Sequence, residues 1–258
     1  MKDFEDYANG LTCGLQFKAK YIDGVIFPPT EAQNLGLWAE YKMTEALPKS
    51  GTAPHPELLA SGKYAKKYAD MLIQIARFTH IMEYYGFKIV DKGVKLENNI
   101  AVGTFDLIVI TTKDIGTIPA GTTCIIDIKT TGHMNNKWDD YGWEKNSLPY
   151  RRKLMIQAIH YSWLAEKVLE KNDVPFFFLV FSTANAIESN IFWIELDKES
   201  VYPQHEADIA RVAEAIEAEN KSGWKALPDI KVCSECPIKN SCPSFTDVPT
   251  IYKISVTK

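Results

Sequence analysis

Two apolar stretches, each interrupted by a single aspartate, constrain this chain more than any other feature. Gly103-Thr104-Phe105-Asp106-Leu107-Ile108 lies in a segment rich in Val, Ile and Thr, and so does Cys124-Ile125-Ile126-Asp127-Ile128-Lys129. Both read as strands, and Lys113-Asp114-Ile115-Gly116 between them is a turn signal. A carboxylate inside an apolar strand is costly unless it is paired or binds a metal. Residues two apart share one face of a strand, so Asp127 and Lys129 point the same way while Ile128 turns into the core. Two such carboxylates on neighbouring strands suit a hard divalent cation, Mg2+ or Mn2+, that polarises a phosphate. Lys129 could then orient or activate the attacking water and offset developing charge. Taken singly, Asp106 and Asp127 could be strand-end residues with Lys129 as their salt-bridge partner; it is the set that argues for a site.

The rest of the chain supplies the frame. Residues 4–21 read as a short helical region containing Cys13, and residues 22–57, with Pro28, Pro29, Pro48, Pro54 and Pro56, read as loops and turns. Tyr64, Tyr68, Leu72, Ile75 and Phe78 or Ile81 keep a helical rhythm from a cap at Ser61 to Tyr85, where Gly86 stops it. Strands are expected over Phe87–Leu96, Ile100–Thr111 and Thr122–Lys129, with Asn98-Asn99 as a hairpin turn. A helix over 149–171 follows, with Pro149 near its start, then strands Pro175–Ser182 and Asn190–Leu196 and a helix from Tyr202 to Lys221. The order predicts an α/β fold, a mixed central sheet flanked by helices.

An apolar strand with Asp, a turn, and an apolar strand with Asp-x-Lys resembles the core of the PD-(D/E)XK nucleases, a restriction-endonuclease-like fold; here it reads GTFDLIV and IIDIKT. The helix that follows carries Gln157-Ala158-Ile159-His160-Tyr161, which resembles the Q-x-x-x-Y motif of RecB-like members and places Gln157 and Tyr161 on one face. The resemblance implies catalytic roles for Asp106, Asp127, Lys129, Gln157 and Tyr161, and a metal set of Asp106, Asp127 and Ile128 with a further ligand from the helix before the first Asp strand. His80 is the candidate for that ligand, with Glu83 behind it; His55, His133 and His160 do not match. Arg151, Arg152 and Lys153 could meet phosphates, and Trp138, Trp143 and Tyr150 could stack on unpaired bases, although a basic helix start is usually a solvated face and a Trp usually a core residue.

The cysteines form a second constellation. Cys233, Cys236 and Cys242 crowd into one Pro-containing stretch, and with one more thiolate from near the N-terminus they make a set that suits zinc or an iron-sulfur cluster. The arrangement resembles the iron-sulfur subgroup of RecB-like nucleases, AddB-type and CRISPR-associated enzymes among them. In those a 4Fe-4S cluster on one N-terminal and three C-terminal cysteines staples the chain ends around the nuclease core. The resemblance assigns Cys13, Cys233, Cys236 and Cys242 to the cluster, with zinc as the alternative, and leaves Cys124 in its strand.

Composition sets the remaining bounds. With 258 residues, 46% of them hydrophobic, the chain can form one large nuclease domain, its core about 61–221 and its cysteine segments about 4–21 and 222–245. No apolar run approaches the length of a membrane span and the start lacks a secretion signal, so a cytoplasmic protein, or one of the host cytoplasm if viral, is expected. A net charge of -4 gives no global attraction for nucleic acid, so contacts with DNA must be local. The resemblance favours an exonuclease acting on DNA ends or single strands in recombination, repair, phage replication or CRISPR adaptation, beside a helicase, a recombinase or adaptation proteins. The alternatives are a structure-selective endonuclease on the same core and a catalytically dead nucleic-acid-binding module.

Overall fold

The strand-rich middle of the sequence assembles into one mixed sheet. In the computed structural model, which describes residues 2–48, 50–136, 142–226, 233 and 236–242, five strands lie side by side in chain order. They are β1 (Phe87–Glu97), β2 (Val102–Thr111), β3 (Thr123–Thr131), β4 (Phe176–Ser182) and β5 (Ser189–Ile194). β3 and β4 run parallel and the other neighbours antiparallel. A parallel pair needs a crossover, and α5 (Arg152–Leu169) supplies it.

Helices cover both faces, which is why every residue of β4, FFFLVFS, is buried. On one face α3 (Glu31–Thr44) and α4 (Lys66–Tyr85) set Trp38, Tyr68, Met71 and Phe78 against Leu107, Ile126, Phe177 and Leu179. On the other, Trp163 and Leu164 of α5 and Ile209 of α6 (Lys198–Ser222) share a core with Phe105, Ile125, Phe178 and Val180. The order and type of the elements from α4 to α6 match the sequence reading, and no described helix is long and apolar enough to cross a membrane.

Three elements differ from expectation, each for a local reason. The proline-rich stretch contains α3, a helix started by a reciprocal cap in which Gln33 N–H donates to Thr30 Oγ1 and Thr30 N–H donates to Gln33 Oε1. α4 begins at Lys66 rather than near Ser61, and its buried stripe is Tyr68, Met71, Gln74, Phe78 and Met82, whereas Leu72 is 37% exposed. Apolar residues occur almost all round this helix, so packing against the sheet chooses the stripe. The expected N-terminal helix is two, α1 (Lys2–Ala8) and α2 (Gly14–Tyr21); Gly10, at φ +69°, follows the end of the first, and Cys13 sits at the N-cap of the second.

The chain divides into two compact units, one formed mainly by Pro29–Arg211 and the other by Asp3–Pro28 with the chain from Val212 onward. The second unit has its own aromatic centre: Tyr7 stacks on Phe17 with centroids 4.1 Å apart, and Trp224 lies 5.7 Å from Tyr7 and 6.0 Å from Phe17.

A buried histidine pair joins α5 to α6. His160 Nε2 is 3.2 Å from the Val102 carbonyl, so it carries the proton; His160 Nδ1 is then the acceptor for His205 Nε2–H at 3.1 Å. Burial pushes both side chains down to about 4. Because the unfolded value is near 6.5, protons favour the unfolded chain. The pair's contribution is intact above that pH and falls through the window from 6.5 to 4, by on the order of 5 kcal/mol for the two together. Urea midpoints at pH 7 and pH 4.5 check this: replacing both by leucine should flatten the dependence, and an unchanged slope would show that the pair does not carry it.

Candidate active site

The site begins where β2 parts from β3. Their ladder runs from Ile110 opposite Thr123 to Leu107 opposite Ile126 and ends there, although β3 stays paired with β4 as far as Thr131. The N–H of Ile128, freed from the ladder, donates to Asp106 Oδ2 at 2.7 Å. Within a strand the N–H and C=O of one residue leave the same edge, so the Ile128 carbonyl also faces the Asp106 side. Asp106 and Asp127 thus meet across an opened strand pair.

Asp127 is 2% exposed. Its Oδ1 accepts from Gln157 Nε2 at 2.7 Å and its Oδ2 is ion-paired with Lys129 Nζ. Burial raises the Asp127 carboxyl even against the pull of Lys129, and burial followed by the charges of Asp127 and Glu40 raises Asp106 well above the ordinary carboxylate range. Burial works against the Lys129 ammonium, yet Asp127 and Asp106 outweigh it and hold its pKa above the usual lysine value. Lys129 is therefore a fixed cation, suited to orienting water and balancing charge. Tyr161, one turn beyond Gln157, lies with its ring 4.6 Å from that of Phe105. Burial first, then the charge of Asp127, keeps its phenol neutral. Gly103 makes room: a Cβ there would stand 3.1 Å from Phe105 Cε2 and 3.3 Å from Tyr161 Cε1.

One acidic residue near the pair escapes the sequence reading. Glu40 stands on α3, its carboxyl raised by burial, lowered by Lys129 and raised by Asp127. α3 comes close to β3 one turn earlier, where a Cβ on Gly36 would lie 3.0 Å from Thr130 Oγ1. His80 and Glu83, the ligands expected from the helix before the strands, are exposed on α4, and the only ring contact described for His80 is to Tyr84. A helix among the prolines, α3, thus carries a further carboxylate whose charge acts on the pair.

The other candidates separate clearly. Trp143 is 4% exposed and packs on Phe178 and Phe192, so it is a core residue. Trp138 lies outside the described residues, and Tyr150 is exposed. His160 belongs to the buried pair and His133 is exposed in the loop after β3. Cys124 is buried in β3; Cys13, Cys233, Cys236 and Cys242 are half-buried in the second unit. Among the described residues no three His, Cys, Asp or Glu side chains form a group that could hold a metal ion.

No family model and no curated protein matches the chain. Among solved structures, a protein from Eubacterium rectale described as a "putative exonuclease" superimposes with a TM-score of 0.63 at 15% sequence identity, over 98% of this chain and 88% of that one. The likeness is one of fold.

The donor chemistry is that of a hard divalent cation, although among the described residues the side chains do not converge into a metal-holding group. Asp106, Asp127, Glu40 and the Ile128 carbonyl offer oxygen only, and burial raises all three carboxyls, so the charged forms are costly there without a cation to balance them.

Proposed function

We propose that this chain is a divalent-cation-dependent deoxyribonuclease of the PD-(D/E)XK superfamily, of the RecB-like kind, hydrolysing phosphodiester bonds at DNA ends. The observation that carries the reading is the meeting of Asp106, Asp127, Lys129 and Gln157 at the split between β2 and β3. The fold shared with the Eubacterium rectale protein is consistent with it. Mg2+ or Mn2+ would be held by Asp106, Asp127, the Ile128 carbonyl and Glu40; when bound it supplies Lewis acidity toward the phosphate and a more acidic water. The protein's part is orientation. Gln157 fixes Asp127 through Oδ1, Lys129 offers its ammonium to the attacking water and the phosphate oxygens, and neutral Tyr161, packed on Phe105, walls the site beside Gln157.

The test is cleavage of end-labelled linear and circular DNA, single- and double-stranded, in Mg2+ or Mn2+ against EDTA. Metal-dependent loss of linear DNA with circles intact is expected. Cut circles would move the reading to an endonuclease on the same core, and inert DNA throughout would remove it.

The four half-buried cysteines share the second unit, and Cys233, Cys236 and Cys242 lie along successive turns closed by Cys236 N–H to the Cys233 carbonyl and Cys242 N–H to the Lys239 carbonyl. A four-thiol set is the chemistry of a 4Fe-4S cluster or of zinc, and we assign it to the cluster. Cys236→Ala should lose the brown colour and iron content of anaerobically purified protein and lower its melting temperature by roughly 5–10 °C. Cys124→Ala should keep both colour and iron; wild-type protein holding zinc and no iron would decide for the alternative.

A further inference from the structure

The sheet ends in β1 on one side and β5 on the other, and the two edges are built differently. β1 carries exposed Lys88, Lys92 and Lys95 and an irregularity between Ile89 and Asp91, the devices that keep a foreign strand away. β5 has no lysine, no proline and no break in register. Ser182 N–H donates to the Glu188 carbonyl, so by strand alternation Asn190, Phe192 and Ile194 turn their backbone groups toward β4. Those of Ser189, Ile191 and Trp193 point out of the sheet, and no described residue bonds to them.

A groove of about 570 Å3 follows this open edge. Its lining includes all of residues 190–195, whose side chains alternate between the two faces, so it runs along the strand and not over one face. Leu148, Pro149 and Met155 form its other wall. A second cavity, also about 570 Å3, takes in Trp193, Leu196 and Ile118 at the C-terminal end of β5. Both lie within Pro29–Arg211. The charge at that end is negative: Glu195, Asp197 and Glu199 are exposed, and among the described residues no cation pairs with them. Lys198 is held by Glu166 and Asp173, each at 2.6 Å, which leaves Lys145 as the cation on the groove wall. A second copy fits such an edge poorly. Two β5 strands paired antiparallel about Ile191 would set Glu195 of each beside Glu188 of the other, like charge near like.

We propose that the β5 edge is a docking site for an extended, basic-ended peptide segment of another protein, which joins the sheet as a sixth strand. Its backbone pairs with Ile191 and Trp193, its alternate apolar side chains enter the two cavities, and its terminal lysines or arginines meet Glu195, Asp197 and Glu199. The site is independent of the nuclease reading, because it uses none of Asp106, Asp127, Lys129 or Gln157.

The probe is a fluorescein-labelled peptide, Lys-Lys-Val-Thr-Val-Thr-Val-Lys-Lys, acetylated and amidated at its ends, and binding is read by anisotropy at low salt. Ile191→Pro removes an outward N–H and no bond to β4, and Trp193→Lys gives β5 a guard of the kind β1 has. Each should weaken binding at least about tenfold while the melting temperature stays near that of wild type. The same peptide N-methylated at its five central residues, which keeps charge and side chains but loses its backbone donors, should bind wild type as weakly. A peptide with glutamate in place of lysine should also bind more weakly, and sedimentation should show monomers throughout. No binding by wild type, equal binding of the N-methylated peptide, or full binding by Ile191→Pro would overturn the assignment. So would a wild-type dimer that Ile191→Pro dissociates, since the edge would then belong to a second copy.

Discussion

Asp127→Asn should lower the rate of metal-dependent DNA cleavage by at least about 1,000-fold while leaving the melting temperature of the metal-free protein within a few degrees of wild type. The amide keeps the shape of the side chain, and its oxygen can still accept from Gln157 Nε2 as Asp127 Oδ1 does. What disappears is the charge. In the wild type that charge sits 2% exposed near Asp106 and Glu40, with Lys129 to balance it. Removing one of three clustered carboxylates relieves repulsion at about the cost of the Lys129 ion pair, and the lysine, with 29% of its side chain exposed, can turn to water. Folding is therefore nearly indifferent and cation binding is not. Asp127→Ala is the poorer probe because it leaves both Gln157 and Lys129 without their acceptor. Single-turnover cleavage measures the first effect; the second is read from melting curves in rising Mg2+, which should climb for wild type and stay flat for the variant. An Asn variant keeping a tenth of wild-type activity would show that Asp127 is a structural carboxylate held by Lys129.

How far such a site can be read from sequence depends on how local its determinants are. Asp127 and Lys129 were readable because strand alternation alone puts them on one face, and Gln157 with Tyr161 because one helical turn does the same. The fold from α4 to β5 followed from periodicity and from turns such as Asn98-Asn99, where Asn98 Oδ1 accepts from the N–H groups of Ile100 and Ala101. The parting of β2 from β3 was not readable: it arises only when the Asp106 side chain takes the Ile128 N–H in place of a ladder partner. α3 was missed for a different reason. Pro28 and Pro29 signal a loop, yet they stand just outside a helix whose cap, Thr30 with Gln33, is itself present in the sequence. With α3 go Leu35, Trp38 and Ala39 of the core, and with them Glu40, whose charge acts on the site from outside the sheet and α5.

That omission supplies the second large effect. Glu40→Gln should reduce cleavage about 100-fold and weaken Mn2+ binding, whereas His80→Ala should stay within about twofold of wild type in both. Sequence resemblance points to His80, whose ring lies exposed on α4 near Tyr84. Glu40 is coupled to both: its charge raises the Asp106 carboxyl, and the charges of Lys129 and Asp127 act on its own. A third carboxylate is costly beside two others that burial already disfavours, and a bound cation would make the three compatible. The glutamine variant should accordingly fold at least as well as wild type without metal, and lose the gain that metal gives. Calorimetric titration with Mn2+, run beside the cleavage assay, separates a ligand from a neighbour: a ligand loses affinity and rate together, a neighbour neither. If His80→Ala lost both and Glu40→Gln kept both, α4 would have to reach the carboxylates during turnover, and the ligand set would revert to the one that sequence resemblance implied.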